Sequence, residues 1–171
     1  MKIVIIGYSG SGKSTLAKTL GAHYNIPVLH LDSVHFMEGW VERDNEEFNQ
    51  IVLDFMNSND SWVIDGNYRK IALERFQEAD QLIFLNYNRF FCLNSVIKRY
   101  FKNKGKTRID MAEGCEEKLD FDFLWWVFAK GRSKTRRTQL ENLAKNHKNS
   151  LIFKNRKQLH KYLNSVNIFS N

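Results

Sequence analysis

Two cysteines and one proline are scarce for a chain of 171 residues, and each scarcity removes a class of protein. Cys92 and Cys115 have no second Cys or His at metal-ligand spacing. Neither a zinc site nor a disulfide framework is expected, and both read as ordinary thiols. No proline- or serine-rich linker, low-complexity stretch or internal repeat marks a boundary, which predicts one domain over residues 1–171. No apolar run approaches the ~20 residues of a membrane span. Lys2 is followed by only four apolar residues before Gly7, too few for a signal-peptide core. A cytoplasmic protein without membrane association is expected. The 43% of hydrophobic and 13% of aromatic residues suffice for one core and argue against disorder.

Acidic residues are scarce in the second half. Residues 1–95 hold 8 basic and 12 acidic side chains (net −4), whereas 96–171 hold 18 and 7 (net +11). That skew predicts a polyanion against the second half, either nucleic acid or the phosphates of a small molecule. No helix-turn-helix, zinc-finger or RNA-binding signature supports the first option. An Asn-Lys-x-Asp run that would read guanine is also missing, so adenine is the expected base.

What is present is an alternation. Apolar runs at Lys2–Ile6, Pro27–Leu31, Trp62–Ile64, Gln81–Leu85 and Leu151–Phe153 lack polar alternation, as strands buried on both faces do. Between them lie helix-like stretches at Lys13–Tyr24, Asp44–Asn57, Arg69–Glu78, Phe90–Lys102, Phe121–Lys130, Lys134–Asn146 and Lys157–Val166. In the second of these, Phe48, Ile51, Val52 and Phe55 fall on one helical face. The alternation predicts an α/β fold, a parallel sheet with helices on both faces.

Gly7-Tyr8-Ser9-Gly10-Ser11-Gly12-Lys13-Ser14 fits G-x-x-x-x-G-K-[ST], between an apolar run and an amphipathic helix. Glycines let the backbone curl so that successive N–H groups face an anion, and the helix beginning near Ser14 and Thr15 adds its dipole. The motif places Gly7, Ser9, Gly10, Ser11, Gly12 and Thr15 around the phosphates of ATP. Lys13 reaches the β- and γ-phosphates, and the Ser14 hydroxyl meets Mg²⁺.

Two carboxylates follow apolar runs. Asp65 ends Trp62-Val63-Ile64, placed to hold Mg²⁺ through water or to orient a residue that does; a plain Asp-Gly turn is the simpler alternative. Asp32 follows Val28-Leu29-His30-Leu31, placed to take a proton from an acceptor hydroxyl, to assist Mg²⁺, or merely to cap a helix. His35 and Trp40 lie just beyond, as substrate contacts or as local packing.

The phosphate loop together with Ile64-Asp65-Gly66-Asn67-Tyr68-Arg69 resembles the adenylate-kinase-like P-loop kinases. Leu31-Asp32-Ser33-Val34-His35, Gly39-Trp40-Val41, the Asp-Gly-Asn-Tyr-Arg run and Gly114-Cys115-Glu116-Glu117-Lys118 are similar to the bacterial DNA topology modulation protein, FlaR-like family. The resemblance implies a three-layer P-loop NTPase fold with a five-stranded parallel sheet, an acceptor arm near 32–58 and a helical lid near 103–135. It implies that Arg69 grips an acceptor or transferring phosphate. Arg99 would match the arginine leading into the lid, and Arg132 with Arg136 or Arg137 the pair that closes on the triphosphate. It also sets Asn155 or Arg156 against the adenine, where an ordinary strand-to-helix turn is the alternative. Where nucleoside-monophosphate kinases carry Ser/Thr-Gly-Asp followed by Arg, this chain has Asp32-Ser33-Val34-His35, closer to kinases whose acceptor is a hydroxyl.

Residues 98–137 carry 12 basic and 6 acidic side chains, with glycines at 105, 114 and 131, a composition suited to a mobile flap that brings arginines to phosphate. Beside it, Leu124, Phe128 and Trp125 are expected to form a buried face, in preference to a base-stacking platform with Trp126. The sequence thus predicts an ATP- and Mg²⁺-dependent phosphotransferase acting on a small-molecule or nucleotide acceptor, as monomer or homodimer. The alternative is a nucleic-acid-associated regulatory ATP-binding protein, for which binding would fall steeply with salt.

Overall fold

The computed structural model describes residues 1–105, 107, 110–117 and 119–168. In chain order, β1 (Lys2–Gly7) leads through the glycine loop into α1 (Lys13–Tyr24), β2 (Val28–His30), α2 (Leu31–His35) and a hairpin of β3 (Phe36–Met37) and β4 (Val41–Glu42). Then come α3 (Asn45–Asn57), β5 (Trp62–Asp65), α4 (Glu74–Glu78), β6 (Gln81–Leu85) and α5 (Arg89–Asn103). The chain ends with α6 (Phe121–Phe128), α7 (Lys134–Asn146), β7 (Ser150–Phe153) and α8 (Arg156–Ser165).

Five of the strands form one parallel sheet in the order β2-β5-β1-β6-β7. Ile3 to Ile6, Val63, Ile64 and Leu82 to Leu85 are all buried, because helices cover both faces and leave no position for a polar side chain. The first connection from β1 runs to one edge of the sheet, and later ones run to the other. Right-handed crossovers therefore put α1 on the face opposite α3, α4 and α7. The C-terminal end of β1, which carries Gly7–Ser14, is the reversal point where open parallel sheets take their ligands.

Local chemistry explains most boundaries. Asp44 caps α3, its Oδ1 accepting from Glu46 N–H at 2.8 Å and Glu47 N–H at 3.3 Å. The helix buries Phe48, Val52 and Met56. Asn88 and Ser133 cap α5 and α7 in the same way.

Three expectations are corrected. The helix expected over Arg69–Glu78 is only Glu74–Glu78. Residues 68–72 form a turn in which Ala72 has φ 41°, its N–H donates to Asn49 Oδ1 at 2.6 Å, and the Arg75 guanidinium collects carbonyls. Tertiary hydrogen bonds there replace the helical ladder. The strand expected through Leu31 ends at His30, so Asp32 sits in the first turn of α2 rather than on a strand tip. In α6 the buried residue is Val127, while Trp125 is 45% exposed. A short helix lying on α5 inside the lid has only a narrow covered stripe.

The stretch 103–135, expected as a lid, holds a loop with an antiparallel bridge between Thr107 and Glu116, then α6 and a tight turn over Lys130–Arg132. Lys106, Arg108, Ile109 and Lys118 of that stretch lie outside the described residues. Among the described residues, no helix is long and apolar enough to cross a membrane.

Candidate active site

The loop between β1 and α1 is shaped by two glycines with different jobs. Gly10 (φ 77°) lies against α5, where a Cβ would collide with the Cys92 carbonyl oxygen and approach Val96. Gly12 (φ 91°) caps α1 over open space, with nothing described within 4 Å of where a Cβ would stand. One glycine lets the loop pack on the protein, and the other keeps its mouth clear. Ser11 N–H donates to Tyr8 O at 3.1 Å, and Ser11 Oγ is buried with no hydrogen-bond partner among the described residues. Lys13 folds back, its Nζ donating to Tyr8 O at 3.3 Å. Ser9 is half-buried and Thr15 exposed at the rim.

The Asp65 carboxylate closes the bottom of the site. Its Oδ2 accepts the Ser14 hydroxyl at 3.0 Å, and its Oδ1 meets His30 Nδ1 in a short hydrogen bond. With Asp65 ionised, the donor proton sits on Nδ1. Asp65 is 4% exposed. Two hard oxygen donors, Ser14 Oγ and an Asp65 oxygen, fit Mg²⁺, which takes one or two protein oxygens and completes its shell with phosphate and water. No cluster of three His, Cys, Asp or Glu side chains fit to hold a metal occurs among the described residues.

The next residues connect this corner to Asp32. Asn67 exchanges two hydrogen bonds with the Gly7 peptide. The Tyr68 hydroxyl donates to Asp32 Oδ1 at 2.8 Å. Burial, and then the Asp32 carboxylate, push the Tyr68 phenol well above the usual tyrosine range. The Tyr68 ring packs on His35 and Phe48, with centroids at 4.7 and 5.0 Å. Behind them Arg75, fully buried, donates to the carbonyls of Tyr68, Ile71 and Ala72. Asp32 itself is exposed.

The arginines are placed less uniformly than the resemblance implies. Arg132 lies 3.7 Å over the Tyr8 ring, with Nη1 donating to Tyr87 O at 2.9 Å and Nε to Val127 O at 3.2 Å. Its Nη2 is buried and has no hydrogen-bond partner among the described residues. Arg136 stacks 4.0 Å over Trp126. Arg99 is held by Glu117, with Nε and Nη2 at 2.8 and 2.6 Å from Oε1. Arg69 lines a groove with Phe76 of α4 and with Gln139 and Leu143 of α7. The Asn155 side chain caps α8 by accepting from Gln158 N–H at 3.0 Å. Arg156 is exposed, 6.0 Å from the Phe91 ring centroid.

No family model matches the chain, and no curated protein matches it by sequence. Solved structures do match. Shikimate kinase from Acinetobacter baumannii, in complex with shikimate, is 14% identical over 96% of this chain and 92% of its own, with a TM-score of 0.58. Deoxyadenosine kinase from M. mycoides is 12% identical over 98% and 99%, with a TM-score of 0.52. A sugar kinase from Janibacter sp. HTCC2649 is 13% identical over 98% and 94%, with a TM-score of 0.54. The chain shares with these structures an α/β fold, a five-stranded parallel sheet flanked by helices.

The loop around residues 110–117 rests on the segment around residues 37–40 and on α1. Trp40 Nε1 donates to Glu116 O at 3.2 Å, Cys115 Sγ to Met37 O at 3.2 Å, and Lys18 of α1 pairs with Asp110 at 3.7 Å. Beside Tyr8 and Arg132, a cavity of about 440 Å³ is lined by Asn86, Arg137, Glu141 and Lys154 among others. Sequence reasoning missed His30, Asn67, Tyr68 and Arg75. For Asn67 and Tyr68 a signal existed, since they are where Asp-Gly-Asn-Tyr-Arg departs from the adenylate-kinase corner. For His30, inside an apolar run, there was none.

Proposed function

We propose that this protein transfers the γ-phosphoryl group of ATP to a hydroxyl of a small acceptor. The observation that carries this reading is the Ser14–Asp65 hydrogen bond, which joins the phosphate loop to a carboxylate from the neighbouring strand. The loop amides near Gly10 and Gly12 and the N-terminus of α1 would cradle the phosphates, and Lys13 would swing from Tyr8 O to their β- and γ-oxygens. Ser14 and Asp65 would hold Mg²⁺, which neutralises charge on the β- and γ-oxygens. Asp32 would orient the acceptor hydroxyl and receive its proton. The acceptor oxygen bonds to the γ-phosphorus as the bond from that phosphorus to the bridging oxygen breaks, and ADP leaves with the bonding pair.

Phosphoryl transfer asks little covalent work of the protein, so positioning and charge neutralisation dominate. Arg132, with one nitrogen still unbonded, and Arg136 are the lid cations offered to the triphosphate. Arg99 acts on Glu117 and holds the lid loop to α5. Arg69, in the α4–α7 groove, has no part in this reading.

The test is ADP release from ATP and Mg²⁺ across a panel of nucleosides, nucleotides and small alcohols. The Lys13→Ala protein should keep its far-UV circular dichroism and lose turnover roughly 10²-fold or more. Undiminished turnover in that variant would overturn the mechanism.

A further inference from the structure

Asp65 is held from two sides. It ends β5 in register with His30, the last residue of β2, so the two side chains stand beside each other on adjacent parallel strands. His30 Nδ1 donates to Asp65 Oδ1, and the Ser14 hydroxyl donates to Oδ2 at 3.0 Å. Asp65 is buried and the His30 side chain is 12% exposed. A carboxylate taken this far out of water needs donors to replace its hydration. The backbone under the imidazole is fixed as well, because Ser33 Oγ donates to His30 O at 2.7 Å where β2 turns into α2.

One donor on each oxygen fixes the rotation of the carboxylate about its Cβ–Cγ bond. A carboxylate oxygen can accept twice, so each oxygen keeps one lone pair, and that lone pair stands at a set angle. The Ser14 bond by itself would leave the rotation free, and the Ser14 hydroxyl is itself offered to the metal. Groups that hold a metal ligand in place without touching the metal typically change its affinity 10- to 100-fold when removed.

Resting on the phosphotransferase reading, we propose that His30 is a positioning residue for Mg²⁺. Its Nδ1–H locks the Asp65 carboxylate in the orientation in which that carboxylate and the Ser14 hydroxyl receive the ion together. In this role His30 acts through Asp65 and touches neither metal nor nucleotide. An imidazole N–H also supplies the hydrogen bond without the permanent positive charge of an arginine, which would oppose the incoming cation. A histidine that merely satisfied a buried carboxylate at the edge strand β2 would support stability and leave metal affinity alone.

The experiment is calorimetric titration of the whole protein with a non-hydrolysable ATP analogue, once in Mg²⁺ and once in EDTA, so that no turnover enters the measurement. Wild type is compared with His30→Leu, which keeps bulk without a donor. It is also compared with His30→Asn, whose amide nitrogen branches from the same carbon as Nδ1. The expected result is that Mg²⁺ tightens binding in wild type and that His30→Leu loses about 10-fold of that tightening, with little change in EDTA. His30→Asn should recover most of the loss. An equal Mg²⁺ effect in wild type and His30→Leu, or an Asn variant no better than Leu, overturns the inference and leaves the kinase reading standing. Should His30→Leu lack the wild-type circular dichroism, His30→Gln takes its place, with its donor one bond farther out and the same two outcomes. Absent binding of the analogue to wild type, together with no acceptor-dependent ADP release, overturns the kinase reading itself and the inference with it.

Discussion

The Asn67 side-chain amide and the Gly7 peptide unit exchange two hydrogen bonds: Oδ1 accepts from Gly7 N–H at 3.0 Å, and Nδ2 donates to Gly7 O at 2.7 Å. Gly7 ends β1, still in register with Leu85 of β6 but past the last residue of β5 in register with β1, and on that side Asn67 is its partner. Asn67→Ala strands both groups. It should cost about 1–2 kcal/mol of stability and weaken nucleotide binding roughly tenfold as the loop loosens. Urea denaturation and calorimetric titration with ATP measure the two effects. Asn67→Asp, which accepts but cannot donate, should fall between Ala and wild type in stability.

Asp65 bonds Ser14 with one oxygen and His30 with the other. Asp65→Asn keeps the shape and removes the charge. The expected outcome is a folded protein whose turnover drops by 10²-fold or so and whose rate saturates only at much higher Mg²⁺. A rate profile against Mg²⁺ that matches wild type would remove Asp65 from the metal site.

Tyr68 is pushed above its ordinary value of 10.0 by burial and by the carboxylates beside it. A group whose folded pKa is raised contributes stability that is complete below the unfolded value and is lost as pH climbs through the folded one. Wild type should therefore lose stability against Tyr68→Phe above about pH 10, with no such divergence at pH 7 to 9. In an alkaline absorbance titration, Tyr68→Phe should remove amplitude from the late-ionising phenols only.

Arg75 is 0% exposed and holds three carbonyls of the turn that presents Tyr68 and Arg69. Removing its guanidinium takes the side-chain donor from all three, leaving Tyr68 O and Ala72 O only the backbone N–H groups of Ile71 and Arg75. Arg75→Met should destabilise by about 3 kcal/mol. Arg75→Lys, a single point charge where a fork is needed, should recover less than half of that. Thermal unfolding provides the comparison.

The sheet and part of the candidate site's geometry were legible in the sequence, and the divide between what was and was not legible has a cause. All five strand segments stood out as continuous apolar runs, and β1, β5 and β6 are buried along nearly their whole length, as strands covered on both faces are. The loop between β1 and α1 was legible as a candidate phosphate cradle because such a cradle needs glycines, a lysine and a hydroxyl at fixed local offsets. Asp65 was legible as an acidic residue ending an apolar run. The resemblance, in contrast, placed Arg99 and Arg69 at phosphate, whereas Glu117 holds the first and the α4–α7 groove takes the second. An arginine's long side chain reaches several partners, and the choice between them depends on residues distant in sequence.

From the sequence alone came the parallel α/β architecture, the phosphate loop and the charge division between an acidic first half and a basic second half. These depend on local periodicity, short spacing and simple counting. Only the tertiary structure decided that Asn67 holds Gly7, that His30 stands on Asp65, that Tyr68 shares Asp32, and that Arg132 and Arg136 rest on Tyr8 and Trp126. Those pairs span from 10 to 124 residues of chain, and no local pattern encodes them. They are set when the sheet closes, because each polar group leaving water must then take the partner that packing brings within reach.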